Sequence, residues 1–182
     1  MLHVQPVTKD FKDFQILQDL YESAFLKFEQ TPMWFLLLRA KKDFVDFFAY
    51  YNKNEFVGFT YLIHDNNLTF VLYIAVNGNT RSKGYGTQIL NHIKETFSNN
   101  RIMLYIEAED ERAKNNEQRK KRKSFYIKND FISSGIFLEV RKTGFEVLIQ
   151  GGDCTTQEIM TVYKKFCTPP IFIFVKPKLL VQ

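Results

Sequence analysis

Apolar positions along the chain recur at two spacings that take turns, and the alternation predicts an order of elements. "LHVQPV" reads as a short edge strand, because Pro6 is tolerated only at a sheet edge or a strand end. From Asp10 to Phe28, residues Phe14, Leu17, Leu20, Tyr21, Ala24, Phe25 and Phe28 fall at helical spacing. Pro32 ends that helix, and "MWFLLLRA" reads as a second short helix or a buried segment. "DFVDFFAYYN" and "EFVGFTYLIHD" flank "NKN" as the strands of a hairpin, and "NN" turns the chain into "LTFVLYIAV". From Gly84 to Phe97 the helical period returns, with Ile89, Leu90, Ile93 and Phe97 on one face. "RIMLYIEA" is the next strand, followed by a highly charged helix that ends in "SFYIKNDF". "ISSGIFLEV" and "GFEVLIQ" form a last hairpin and "TQEIMTVYKKF" a last helix, stopped at Thr168-Pro169-Pro170. The sum is an α/β fold with a mixed central sheet of about six to seven strands flanked by helices.

Composition narrows the class. The 182 residues are 45% hydrophobic and 16% aromatic, with 19 Phe, enough to build a substantial core in one domain spanning 1–182. The formal charge of +5 permits an anionic partner without requiring one. Cys154 and Cys167 have no metal or redox spacing, no secretory leader opens the chain, and no apolar run is long enough to span a bilayer. These features predict a soluble cytoplasmic domain with no membrane partner. His3, His64 and His92 form no metal-binding pattern, so no metal is expected, and His92, flanking an apolar helix face, reads as structural.

The chemistry concentrates in "NTRSKGYGTQIL", residues 79–90, where a buried strand gives way to a helix. A P-loop requires G-x-x-x-x-G-K-[ST], but here Lys83 precedes Gly84. A dinucleotide fingerprint requires a third glycine where Ile89 stands. What remains is R-S-K-G-Y-G, of the form [Q/R]-x-x-G-x-[G/A]. Glycines let the backbone turn tightly so that successive N–H groups face an anion, and the following helix N-terminus adds about half a positive charge.

The block "LYIAVNGNTRSKGYGTQILNHIKE", followed by "MLYIEAE" and "SFYIKNDF", resembles the GNAT superfamily of acetyl-CoA-dependent N-acetyltransferases. The order of elements matches from about Leu2 to Gln150; residues 151–182 are not placed by it. The resemblance implies an N-acetyltransferase that uses acetyl-CoA as co-substrate, with splayed central strands holding it. It assigns the pyrophosphate to the backbone of Ser82, Lys83, Gly84, Tyr85 and Gly86, with Arg81 opening the loop, and pantetheine contacts to Ile74 and Val76. Tyr126 matches the tyrosine that in many members protonates the departing thiolate, and a phenol near pKa 10 is protonated at neutral pH. The acceptor would be an amine, on a small molecule or a protein, and a homodimer stays open.

Several positions divide the reading. Glu107, at the carboxyl end of its strand, either accepts the ammonium proton of the amine or pairs with a nearby Lys or Arg. Arg119 stands where many members have Asn, seven residues before the tyrosine, and Asn115 and Asn116 lie about a turn earlier. Asp130 replaces the usual Gly before Phe131, leaving Asn129 as the residue expected to take the left-handed conformation. "QRKKRK", 118–123, could be a nucleic-acid patch, but its place in a helix before Tyr126 favours a solvated helix with Asn115, Arg119, Arg122 and Tyr126 on a face towards coenzyme A phosphates. Glu109 and Asp110 either attract a cationic substrate or lie in solvent. "EQTPMWFLLLRAKKDF" is either an apolar acceptor pocket or core. The alternatives to an enzyme are a regulatory module that binds acyl-CoA without catalysis and, further off, a nucleic-acid-binding protein.

Overall fold

The computed structural model describes residues 2–78, 83–140, 142–167 and 178–180. Its elements are β1 (His3–Pro6), α1 (Phe14–Ala24), α2 (Met33–Arg39), β2 (Val45–Asn52), β3 (Glu55–Asp65), β4 (Leu68–Val76), α3 (Tyr85–Thr96), β5 (Arg101–Glu107), α4 (Asn116–Ile127), β6 (Ile132–Val140), β7 (Thr143–Gln150), α5 (Thr156–Cys167) and β8 (Lys178–Leu180). This is an α/β protein with a mixed, mostly antiparallel sheet flanked by helices. Among the described residues it has eight strands where about six to seven are predicted. The added one, β8, is three residues long and too short to show a period; it pairs antiparallel with β6. The chain forms two units: Met1–His64 with Val71–Ser98, and Asp65–Phe70 with Asn99–Gln182.

In the first unit the neighbours run β1, β2, β3, β4. β1 pairs antiparallel with β2 from His3 opposite Tyr51 to Pro6 opposite Phe48, which leaves Pro6 at the sheet edge that its missing N–H demands. β2 and β3 form the hairpin, and Lys53 in its turn takes a positive φ of 55°. Alternation along β2 gives each face a different helix. Phe47 joins Phe59, Tyr61 and Tyr73 in an aromatic cluster closed by Tyr21 and Phe25, while Phe48 and Tyr50 meet His92 of α3. β3 approaches β4 so closely at Gly58 that a Cβ would overlap the carbonyl oxygen of Ala75.

α1 is shorter at both ends than its apolar period predicts. Turns at Thr8–Phe11 and Phe11–Phe14 precede it, and Phe25 is already extended at φ −121°, ψ 143°. Beyond it, the Gln30 side chain donates to the carbonyls of Glu22 and Phe25, and the hydroxyls of Tyr21 and Tyr73 both accept the Thr31 N–H. These bonds fold Phe28 into the connection. The apolar stretch forms helix α2, in which Phe35 and Leu36 are core, whereas Trp34 and Leu38 are 65% and 51% exposed.

In the second unit the neighbours run from the start of β4 through β5, β7 and β6 to β8. β4 is parallel to β5 over Leu68–Phe70 against Arg101–Met103. β5 then lies antiparallel to β7, from Ile102 opposite Gln150 to Glu107 opposite Phe145. Phe70, Tyr105, Phe145 and Tyr163 of α5 form its aromatic core. α5 thus joins this unit, burying Ile159, Val162, Tyr163, Phe166 and Cys167. Its start is a reciprocal cap: Glu158 accepts the Thr155 N–H at 2.8 Å, and the Thr155 hydroxyl accepts the Glu158 N–H at 3.2 Å. Arg101 reaches the same Glu158 at 2.7 Å, and this bond, followed by the Thr155 N–H, holds the carboxyl down at about 2. The stop expected at Thr168-Pro169-Pro170 lies outside the described residues.

Candidate functional site

The first unit holds the strand and helix assigned to the cofactor. On β4, Tyr73 and Ala75 are buried while the alternating Ile74 and Val76 are half-buried. Arg81 and Ser82 lie outside the described residues. Lys83 and Gly84 are exposed; Tyr85 and Gly86 are half-buried and open α3. Gly84 stands at the N-cap with φ 77°, a left-handed conformation that glycine adopts without a Cβ clash. Among the described residues no side-chain cap is found at this end of α3. A helix N-terminus of this kind can receive an anion.

Tyr85 is fixed by a residue the sequence reading missed. The Asn52 side chain, at the end of β2, donates to the Tyr85 hydroxyl at 2.8 Å and ties the start of α3 to the β2–β3 hairpin. Behind it, Ile89, Leu90 and Ile93 are fully buried. His92 sits half-buried with Nδ1 3.3 Å from the Tyr50 hydroxyl; burial lowers its pKa, and Glu95 opposes the shift. Its structural reading fits these contacts.

The second unit holds the proposed acid. Tyr126 is 7% exposed, and burial pushes its phenol up to about 12 against the opposing pull of Arg122. Such a group carries its proton throughout the neutral range. The end of α4 explains why "FYIKNDF" has its form. The Phe131 N–H bonds the Tyr126 carbonyl at 3.1 Å and the Asp130 N–H bonds that of Ile127 at 3.1 Å. These are the paired bonds of a Schellman ending, accompanied by ring contact between Tyr126 and Phe131 at 5.7 Å. The left-handed residue is Asp130 itself, at φ 67°, and not Asn129; the Asn129 side chain donates to the Phe125 carbonyl. Asp130 therefore takes the left-handed conformation that such an ending requires.

Glu107, 6% exposed, is fully engaged. One oxygen lies 2.9 Å from Arg119 Nη2 and the other 3.1 Å from Arg122 Nη1. Asn115 Nδ2 is within 3.5 Å of both. Arg119 also donates to Asn115 Oδ1 at 3.0 Å and to the Ala108 carbonyl at 2.7 Å. The face expected to turn towards phosphates is thus committed to a buried carboxylate. Lys123 makes the same commitment to Glu146 of β7, at 2.8 Å, and Lys120 pairs with Glu117. The basic run is mostly paired within its own unit, which weakens the nucleic-acid reading. Glu146 was missed, although a lone acid within "FEVLIQ" is an anomaly that asks for a partner. Asp110 accepts the Arg112 N–H at 3.0 Å, a bond that holds its carboxyl below the usual range, and Glu109 lies 3.8 Å from Lys123.

Among the described residues no group of His, Cys, Asp and Glu could hold a metal ion, and no helix is long and apolar enough to cross a membrane. Burial pushes the Cys154 thiol up, the change opposite to that of an activated nucleophile.

Solved structures share this fold at low identity. A GNAT-family protein from Bacteroides thetaiotaomicron superposes with a TM-score of 0.73 at 19% identity, covering 96% of this chain and 99% of its own. The ribosomal-protein-S18-alanine N-acetyltransferase from Escherichia coli gives 0.62 at 11% identity, covering 86% and 97%. A spermidine N-acetyltransferase from Vibrio cholerae, in complex with CoA and spermine, gives 0.63 at 14% identity, covering 81% and 94%. Comparison with curated proteins gave no match. The sequence itself matches the model of the acetyltransferase (GNAT) family over residues 14–117, more than half its length. The chain belongs to the GNAT acetyltransferase family.

Proposed function

We propose that this protein is an N-acetyltransferase that moves an acetyl group from acetyl-CoA to a primary amine in one direct step. The observation that carries the proposal is left-handed Gly84 at the start of α3, the first helix after β4, with no side-chain cap among the described residues, in a chain of this family. Acetyl-CoA, when bound, supplies an activated thioester carbonyl. The backbone N–H groups from Ser82 to Gly86 receive the pyrophosphate, and Arg81 and Lys83 add positive charge. Ile74 and Val76 offer backbone groups to the pantetheine arm on the part of β4 beyond the pairing that ends at Phe70. Tyr126, held protonated by burial, gives its proton to the sulfur as the amine attacks. The buried, high-pKa thiol of Cys154 supports direct transfer over an acyl-enzyme.

Glu107 is the divided point of the mechanism. As a base it would take the ammonium proton of the amine; its engagement by two guanidinium groups favours the other reading, an anchor for α4. The same engagement favours, as a second reading of the protein, a module that binds acyl-CoA without catalysis. The acceptor is an amine on a small molecule or a protein, and the relatives named above act on substrates as different as spermidine and a ribosomal protein's alanine.

The experiment is thiol release from acetyl-CoA across pooled small amines, polyamines, aminoglycosides, amino acids and peptide amino groups. Release with one class is expected. Tight coenzyme A binding by calorimetry without release would favour the module. Unchanged coenzyme A affinity in a folded Gly86→Asp protein would contradict the loop assignment, because that carboxylate stands where the pyrophosphate must approach.

A further inference from the structure

Helix α4 carries the proposed acid yet has almost no apolar face. Its buried residues are Asn116 and Tyr126, and most of the rest are charged. The sheet supplies what an apolar stripe would otherwise supply, in a different currency of interaction. Glu146 lies on β7, opposite Ile106 of β5 and Phe137 of β6, so its strand is paired on both sides. It is 2% exposed. A lone carboxylate there would be strongly disfavoured, and Lys123 Nζ meets it at 2.8 Å. One turn earlier Arg119 grips Glu107; nearly one turn later comes Tyr126.

Residues 119, 123 and 126 share one helical face, since they lie four and three positions apart. Apolar contacts tolerate small slides and rotations, whereas a carboxylate buried as deeply as Glu146 must keep its cation within hydrogen-bond reach, although the Lys123 side chain is itself 31% exposed. We infer that Glu146, acting through Lys123, is a positioning residue that fixes the rotation and depth of α4 and with them the place of the Tyr126 hydroxyl. This rests on the reading of Tyr126 as the acid. The Schellman ending pins the helix at its other end, so the Lys123–Glu146 pair stands between two fixed points and sets the turn that leads into the tyrosine.

The test uses the full chain with acetyl-CoA and the amine class found active. Glu146→Gln keeps the shape and removes the charge. It should lower kcat by about 10–10²-fold, the scale of an ångström-sized misplacement, while KM for acetyl-CoA stays within about twofold. Amide hydrogen exchange from 119 to 127 should speed up while that of α5 stays unchanged. The double variant Glu146→Leu with Lys123→Met replaces the pair by apolar groups that pack, so it folds even where the single variant does not. It should keep its Tm and still lose kcat, because two apolar groups give no fixed geometry. Unchanged kcat and unchanged α4 exchange in either folded variant would overturn the inference, as would a fall in Tm with kcat intact. If the wild type releases no thiol, the transferase reading falls and, with it, the assignment of Glu146 to placing an acid; faster α4 exchange in Glu146→Gln would then show that the helix anchor itself is real.

Discussion

α3 and α4 each follow a strand and each carry one half of the proposed chemistry, but they are fastened in opposite ways. α3 buries Ile89, Leu90 and Ile93 in its own unit and has no side-chain cap at its polar N-terminus among the described residues. α4 buries one aromatic side chain and is held by Glu107 with Arg119 and Arg122, and by Glu146 with Lys123. Under the proposed mechanism the difference follows from what each helix would do. A phosphate cradle made of backbone N–H groups needs only a rigid helix behind it, and area burial provides rigidity without regard to fine register. A side-chain proton donor must be set to within a fraction of an ångström, and ion pairs of fixed geometry provide that.

Removing an apolar anchor from α3 should have the largest effect. Ile93→Ala leaves a cavity at a fully buried position and should cost about 2–5 kcal/mol, lowering Tm by roughly 5–15 °C in a melt that is insensitive to salt. A loss below about 1 kcal/mol would remove the contrast.

Next comes the anchor of α4. Glu107→Gln leaves two guanidinium groups facing a neutral amide and should cost about 1–3 kcal/mol in urea unfolding. The pH profile of kcat/KM separates its two roles. If Glu107 anchors the helix, the acid limb of the profile persists in Glu107→Gln; if it is the base, that limb vanishes.

Acid sensitivity sharpens the difference between the units. Glu158 has a folded pKa of about 2 against an ordinary 4.5, chiefly through its hydrogen bond from Arg101. A depressed carboxyl stabilises above its unfolded pKa, so this contribution is full above about pH 4.5 and is lost as pH falls towards 2. Glu158→Gln should flatten the stability profile in that window, measured by urea midpoints at steps of pH. Its side chain is 36% exposed, so solvent screens the effect and the change should be modest.

The smallest effect is expected at Asp130. Asp130→Gly relieves a left-handed φ of 67° and should raise stability by about 0.5–1 kcal/mol, seen as a Tm higher by a few degrees.

How much of this was legible follows the same division. The apolar face of α3, the β2–β3 hairpin and the aromatic strands announce themselves because area burial leaves a period in the sequence. The pairings of α4 leave none: "QRKKRK" looks solvated until Glu107 and Glu146 are brought to it by strands β5 and β7, the latter 20 residues or more beyond. Asn52 with Tyr85 and Gly58 against Ala75 were illegible for the same reason, since each depends on a contact between segments distant in the chain. β8 was too short to carry a pattern. The left-handed position was read one residue early because Asn adopts that conformation more readily than most, yet the bond from Phe131 to Tyr126 requires it at Asp130.

The central claim is that Tyr126 hands its proton to the leaving thiolate. Tyr126→Phe keeps the ring against Phe131 and removes only the hydroxyl, so steady-state thiol release with the active amine, beside calorimetry of coenzyme A, tests it directly. The account predicts unchanged coenzyme A affinity and a fall in kcat of about 10²–10⁴-fold; full turnover in Tyr126→Phe would contradict it.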